Sequence, residues 1–440
     1  MKKISWGVSL VVIMMGMFVW MPTPIRAAKK VTITMWATAA PLRTPGREWV
    51  WNKFETENPN TKVEFEGVPW GQFMEKILTS VAAGMPPDCM RYGYCSRLAR
   101  RGVINPLDDY INGPDGIDKR EYNDICWGPT REWEDKIYSI PYNTEPFVVF
   151  YNTDIFEKEG IGIPQTAEEL QLLAEKLTRR DSKGNVVRRG YEFNESADSF
   201  ITWLYNNGGQ DITAKGHRVE ELTIDSPEAL HVLNWVVDMV NEEYWKYEIT
   251  GLGAGAAFPT GKTVMRQIQC SQGHDIQPKF YPDFHFDCFQ FPPFEGKTQI
   301  LTGHASDALM IFEGSKHKDL AWKLIKIYGS KEGTSRIWSK GKYGMLPPYK
   351  DIWETPVKYP FYEPWHEDPF LYQIAKIANT SKWGPMWTRY WHVLGDEIRM
   401  VTEEELGKAY RFEKSPEQTL KDIEKRWIKI IAEVQPDFGK

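Results

Sequence analysis

Two α/β lobes are what this 440-residue sequence predicts, on three observations. The chain is longer than one hydrophobic core usually fills. Its first hundred residues alternate β-rich runs with helical ones, the order that builds a mostly parallel sheet with helices on both faces. No repeat or low-complexity linker divides it, so the lobes are expected to be joined by crossing strands and not by a tether. Apolar residues make up 42% and charged residues 26%, values ordinary for a globular protein, so disorder is excluded. The aromatic content is less ordinary, at 19 Trp, 20 Tyr and 21 Phe. An indole N–H needs a partner when buried, so many Trp suggest a flat-faced ligand surface beside the core.

The first 27 residues read as a secretory signal peptide. Lys2 and Lys3 are followed by an apolar stretch from Val8 to Met21, then Pro22, Pro24 and the small pair Ala27–Ala28. The apolar stretch is short for a bilayer span of about 20 residues. No cysteine lies near the cleavage point, so a lipid anchor is not indicated. The expected mature protein is soluble and periplasmic or extracellular. Removing three basic residues and no acidic ones takes the formal charge from −6 to −9, which leaves no basic footprint for nucleic acid.

Beyond that segment the elements follow in order. VTITMW (31–36) is β-rich, and WVWNKFETENPN is a helix stopped before Pro59. KVEFEGV (62–68) alternates with period two and reads as a strand. QFMEKILTSVAAG (72–84) has helical spacing and a terminal Gly, and PPDCMRYGY leads into the helical SRLARRG. In such a sheet ligands sit beyond the carboxyl ends of the strands, here Trp36–Arg43, Trp70–Gln72 and Arg91–Cys95. TAEELQLLAEKLTR (166–179) opens with a capping box, Thr166 to Glu169. FITWLYNNGGQ (200–210) ends in a Gly-Gly stop, and SPEALHVLNWVVDMV (226–240) has Ser at the cap and Pro at the first helical position. ALMIF (308–312) is an apolar run before another helix, and the C-terminal segment ends in SPEQTLKDIEKRWIKIIAEV.

Several motifs invite a chemical reading and fail it. GAGAAFPTGKT (253–263) has five residues between Gly255 and Gly261, includes Pro259 and follows no strand, so it is not a phosphate-binding loop. Cys270, His274, His285 and Cys288 form C-x3-H-x10-H-x2-C, four zinc-capable residues in an order that matches no standard module, and a loop role is favoured. A Cys270–Cys288 disulfide is the rival among the functional readings. Five cysteines (Cys89, Cys95, Cys126, Cys270, Cys288) are too few for a disulfide scaffold at this length. G-x-S-x-G, H-E-x-x-H and C-x-x-C are absent, and no cofactor is expected. Glu145 could serve a glycosidase as acid or base, but nothing identifies the second carboxylate such chemistry needs.

The stretch YSIPYNTEPFVVFYNTDIFEKEGI (138–161) is the most distinctive. An apolar run is framed by two Tyr-Asn pairs, with Glu145 at its entrance. It resembles the crossover segment of the solute-binding proteins of bacterial ABC sugar importers, the family that includes maltose-binding protein. The family pattern stands here as Ile140-Pro141, FVVFYNTDIF and IPQTAEEL. Further matches are AAGMPPD (82–88), LARRGVINPLDDYI (98–111), NNGGQD (206–211), GKTVM (261–265), SKHKDLAWKLIKIYGS (315–330) and SPEQTLKDIEKRWIKII (415–431). The resemblance implies a two-lobed periplasmic-binding-protein-like fold with a ligand cleft between the lobes. One lobe would comprise 28–143 plus 303–346, the other 144–302 plus 347–440. The implied function is non-catalytic capture of a sugar or oligosaccharide by a monomer and its delivery to membrane permease subunits.

The resemblance also supplies site residues. Glu145 falls where a family carboxylate contacts sugar hydroxyls, which a carboxylate accepts strongly. Tyr92 and Tyr94 follow the Pro-Asp motif, and Trp203 resembles a cleft residue of the second lobe. Trp387 and Trp391 match the region that supplies a stacking aromatic. Trp36, Arg43, Trp70 and Gln72 complete the set from the strand ends, and Arg43 and Arg91 could pair with a uronate carboxylate. Trp427, in KRWIKII, reads as core. The chain departs from the family at Cys270, Ser271 and Gln272, near where a tryptophan is common, and at Cys95, where some relatives carry aspartate. N-terminal sequencing of exported material should find a chain beginning near Ala28; an intact Met1 in the membrane fraction would contradict the signal-peptide reading.

Overall fold

The computed structural model describes residues 30–38, 45–127, 132–215, 218–241, 257–271, 283–304, 307–339, 345–354, 369–384 and 394–439. The signal segment, Arg43, His274, Trp387 and Trp391 lie outside these. The fold is a two-lobed α/β arrangement built on two sheets. In the first, of five strands, Thr61–Val68, Val31–Thr38 and Cys89–Tyr92 run parallel, as the strand–helix alternation predicts. Ala308–Ile311 then pairs antiparallel with Cys89–Tyr92 and with Ile140–Pro141. Because that strand enters from the opposite end, Ala308 lies beside Tyr92, at the carboxyl edge of the parallel strands.

The second sheet centres on Glu145–Asn152, which pairs antiparallel with Phe286–Phe289, Thr263–Gln269 and Gly303–His304. Val186–Glu192 adds a parallel strand beyond Thr263–Gln269. The unbroken apolar run of the central strand follows from burial on both faces. Phe147 and Val149 point into one cluster with Trp203 and Trp427, while Val148 and Phe150 point into another. That other cluster also holds Ile33 and Met35 of the first sheet, with Tyr142, Leu346 and Trp353 between them. A third cluster, with Phe73, Tyr92 and Met310, covers the remaining face of the first sheet.

The chain crosses between the sheets at 141–145 and 303–308. Tyr142 N–H donates to the Asp307 carbonyl at 3.1 Å, and Thr144 and Leu346 exchange two backbone hydrogen bonds at 2.9 Å. Gly303 has no room for a side chain: a Cβ there would stand 2.5 Å from the Glu145 carbonyl oxygen. The crossing strands can approach this closely only with glycine at 303.

Helix ends follow the sequence signals closely. Ser226 Oγ accepts from Ala229 N–H at 3.2 Å, and Ser415 caps Pro416–Ala432 with Pro416 in the first turn. Thr166 Oγ1 accepts from Glu169 N–H at 3.1 Å, but the Glu169 carboxylate turns to Gln165 N–H at 2.7 Å, one residue beyond the reciprocal bond a capping box predicts. Among the described residues no helix is long and apolar enough to cross a membrane.

Helices Gly395–Tyr410 and Pro416–Ala432 are tied by Glu405, a buried carboxylate with Lys408 and Arg426 each at 2.8 Å and Lys414 also bonded to it. Burial by itself would raise the Glu405 pKa, but the three cations prevail and hold it at about 2, against an ordinary 4.5. A carboxyl depressed on folding stabilises the native state fully above its unfolded pKa. The contribution is lost as pH falls from about 4.5 through about 2. Glu405→Gln should therefore lower unfolding free energy at pH 7 by about 3 kcal/mol, and the gap from the parent should shrink as urea titrations are repeated toward pH 3.

Candidate functional site

The carboxyl edge of the first sheet and the crossing strands meet at one place, and the candidate residues gather there. Trp70 begins helix Trp70–Ala82 just past Thr61–Val68, and 37% of its surface is exposed. Its ring lies 5.0 Å from Tyr92 and 5.8 Å from Tyr94, centroid to centroid. Tyr92 in turn stacks on Phe73 at 4.3 Å, nearly parallel, so the shelf is anchored in the core. Tyr94 holds φ +59 and ψ +40, the left-handed region, as it enters helix Cys95–Arg100. A side chain there costs about 1–2 kcal/mol, which the packed Trp70–Tyr92–Tyr94 cluster must offset. Trp36 is half-buried near the end of its strand, edge-on to Phe312 at 6.4 Å, with Lys76 Nζ 4.5 Å above its ring. Gln72 is exposed in the first turn of the Trp70 helix.

Glu145 opens the central strand of the second sheet at the crossing. Its Oε1 accepts from Asn143 Nδ2 and its Oε2 from Ser271 Oγ, both at 3.2 Å. Asn143 also accepts, through Oδ1, from Asp307 N–H at 2.7 Å. The Asp307 carboxylate pairs with Arg91 at 3.3 Å, and Arg91 donates to the Thr38 carbonyl at 3.1 Å and the Thr38 hydroxyl at 2.6 Å. One polar chain therefore runs from Arg91 through Asp307, Asn143 and Glu145 to Ser271. The amide and carboxylate at the entrance of the apolar strand are its middle links. A carboxylate offers about four lone-pair directions, and Asn143 and Ser271 each occupy one on a different oxygen of Glu145.

Three expectations change. Trp203 has no exposed surface: its indole N–H donates to Gln267 Oε1 at 2.7 Å, and Trp235 and Phe291 lie 4.8 and 4.9 Å from its ring. It is core beneath the cleft, with no face to offer a ligand. Arg91 is neutralised by Asp307 and is not held out for a uronate. The Cys270–Cys288 disulfide is not formed: both are buried thiols, and burial pushes the pKa of each well up. His285, from the same candidate zinc set, lies exposed against Asp154 at 3.1 Å. Sequence reasoning missed Asn143, Asp307 and Ser271 as site residues. The doubled Tyr-Asn framing pointed toward Asn143, whereas Asp307 carries no local signal at all.

The burial contrast is directly measurable. Trp203→Leu should lower unfolding free energy by about 3 kcal/mol, whereas Trp70→Ala, at a half-exposed position, should change it by about 1 kcal/mol or less. Denaturant titration of the two variants checks the difference.

Comparison with known proteins places this geometry. The model for the bacterial extracellular solute-binding protein family matches residues 40–335. The alpha-glucosides-binding periplasmic protein AglE of Rhizobium meliloti is 28% identical over 270 residues, 54% of this chain and 56% of its own length. The sn-glycerol-3-phosphate-binding periplasmic protein UgpB of Brucella melitensis is 22% identical over 400 residues, 87% of this chain and 90% of its own. Among solved structures, the ABC substrate-binding protein Lmo0181 of Listeria monocytogenes, in complex with cycloalternan, superposes with a TM-score of 0.74 at 20% identity. That match covers 92% of this chain and 99% of the other. A family match across two-thirds of the sequence, on a two-lobed fold with a polar hinge, leaves one conclusion: this chain belongs to the bacterial extracellular solute-binding protein family.

Proposed function

We propose that the protein is exported, captures a neutral sugar or oligosaccharide in the cleft between its lobes, and delivers it as a monomer to the permease subunits of an ABC importer. The lobes divide at 28–143 plus 303–346 and 144–302 plus 347–440. The observation that carries the reading is the pairing of an aromatic shelf, Trp70, Tyr92 and Tyr94, with a carboxylate held by fixed donors at the crossing strands. Aromatic faces cover the apolar C–H faces of a sugar ring, and a carboxylate accepts its hydroxyls.

The relatives' names point to two solute classes, an alpha-glucoside and a sugar-alcohol phosphate. The charge pattern favours the first. Glu145 repels a phosphate, and Arg91 and Arg97 already engage carboxylates, Asp307 for one and Asp396 with Glu397 for the other. A phosphate would have to displace those partners and pay for stripping them. Trp36 and Gln72 extend the described site; Arg43 is assigned to it from its place beyond a strand end, and Trp387 and Trp391 by family resemblance alone.

A thermal-shift screen with gluco- and manno-oligosaccharides, glucuronate and glycerol 3-phosphate tests this. A solute at a hundred times its Kd stabilises the folded state by about 2.7 kcal/mol, so a neutral sugar should raise the melting temperature by several degrees. A response only to the anions would overturn the reading. Against the best sugar, Trp70→Ala and Glu145→Gln should each weaken calorimetric binding by about 2 kcal/mol, roughly thirtyfold. Chromatography should recover that sugar unchanged; turnover abolished in Glu145→Gln would establish a hydrolase instead.

A further inference from the structure

The two lobes also meet away from the crossing strands. Arg97 lies on helix Cys95–Arg100, whose Leu98 and Ala99 pack in the cluster of the first sheet. Asp396 and Glu397 occupy the first turn of helix Gly395–Tyr410, whose Ile398, Val401 and Leu406 pack in the cluster of the second. Arg97 Nη1 stands 2.8 Å from Asp396 Oδ2, and its Nη2 stands 3.3 Å from Glu397 Oε1. Each group is therefore fixed to a different core, and the contact can exist only while the lobes are together.

Three features make this more than a chance surface pair. One guanidinium reaches two carboxylates through two different nitrogens of its planar fork, which fixes their relative direction more tightly than a single ammonium nitrogen would. The Arg97 and Asp396 side chains are about one-fifth exposed (20% and 21%) and Glu397 is 40% exposed, so water screens the Arg97–Asp396 contact less than an open surface pair. The carboxylates stand at a helix N-terminus, where the backbone dipole favours negative charge and Arg97 need not supply all the compensation. Arg399 lies on the same helix, 4.0 Å from Asp396, but its shorter contact is to Glu403 at 2.7 Å. Tyr94, a member of the aromatic shelf, stands at the start of the helix that carries Arg97, so the pair lies close to the shelf along the chain.

We propose that Arg97, Asp396 and Glu397 form an electrostatic clasp that draws the empty cleft shut, so that the ligand-free protein is biased toward its closed arrangement. Hinged lobes exchange between open and closed arrangements, and a contact made in only one of them shifts the balance by its own strength. Breaking the clasp shifts the open-to-closed ratio about fivefold. The inference depends on the two-lobed fold and not on which solute the cleft takes.

Single-molecule energy transfer on the ligand-free protein tests it without any solute. Met85, 74% exposed on the first lobe, and Leu172, 64% exposed on the second, accept dyes as Met85→Cys and Leu172→Cys, because all five native cysteines are buried. At low salt a closed population should be present, and it should lose ground to the open one by about fivefold in Arg97→Met and equally in Asp396→Asn with Glu397→Gln. Raising NaCl to about 1 M, where the Debye length is about 3 Å, should open the parent and leave the variants unmoved. Arg97→Lys, which keeps the charge without the fork, should fall between. Circular dichroism and thermal melting confirm folding, and the salt response of the labelled parent decides the matter should Arg97→Met misfold. A parent already open at low salt, a parent indifferent to salt, or variants that open as it does with salt would each overturn the clasp.

Discussion

The buried charge of Arg91 is the constraint from which much of the cleft follows. An unpaired guanidinium in a sheet edge sealed by Tyr142, 5.1 Å from its ring, would be very unfavourable. Asp307 neutralises it at 3.3 Å and Thr38 takes two of its protons. Asp307 is not a free side chain; it lies where the chain returns from the second sheet to start Ala308–Ile311. Satisfying Arg91 therefore fixes where the returning strand enters. Its backbone N–H in turn fixes Asn143, and Asn143 fixes Glu145. The Glu145 carboxylate is therefore held by groups that also keep a buried charge paired. Buried polar networks of this kind restrict the geometries open to the groups they join.

The shelf opposite is built on a different principle. Tyr92 is held by a stacked Phe73 and is almost wholly buried, while Trp70 leans on it with more than a third of its surface exposed. The rigid layer sets the position, and the exposed layer supplies contact area. Tyr94, in a backbone conformation that side chains avoid, shows local strain where the shelf meets the following helix. The strand-end location explains the combination: backbone there leaves the ladder and is free to turn, while the preceding residues keep it anchored.

Much of this was legible in the sequence because the signals were local. Ser226 with Pro227, and Thr166 with Glu169, announced helix starts that the structure shows. The FVVF run announced a buried strand, which the structure covers on both faces, and Glu145 stood out as a charge at its mouth. What stayed hidden depends on partners far away in the chain. Helical periodicity puts Trp203 on an apolar face but cannot say whether that face meets core or cleft; Gln267, 64 residues on, decides it. Arg91 looked available because Asp307 is 216 residues distant. The spacing of Cys270 and Cys288 leaves a disulfide as a rival reading, yet Cys270 follows the end of Thr263–Gln269 and Cys288 lies on Phe286–Phe289, strands on either side of the central one, each thiol buried among apolar neighbours.

Besides the apolar cluster that both sheets share, the lobes are thus connected by two kinds of polar contact with different physics. At the crossing strands the groups are buried, glycine at 303 lets backbones nearly touch, and the hydrogen bonds lie largely beyond the reach of added salt. At Arg97 the pair is partly wet, joins rigid helices from separate cores, and is open to ions. A hinge must keep its geometry through every cycle of motion, so burial suits it. A contact that is made and broken in each cycle must not be strong, because a deeply buried ion pair would leave two stripped charges whenever it parted. Partial exposure lets water take back Arg97, Asp396 and Glu397 as the lobes separate. The aromatic shelf lies between the two kinds of contact: Tyr92 pairs with Ala308 at the crossing strands, and Tyr94 leads into the helix that carries Arg97.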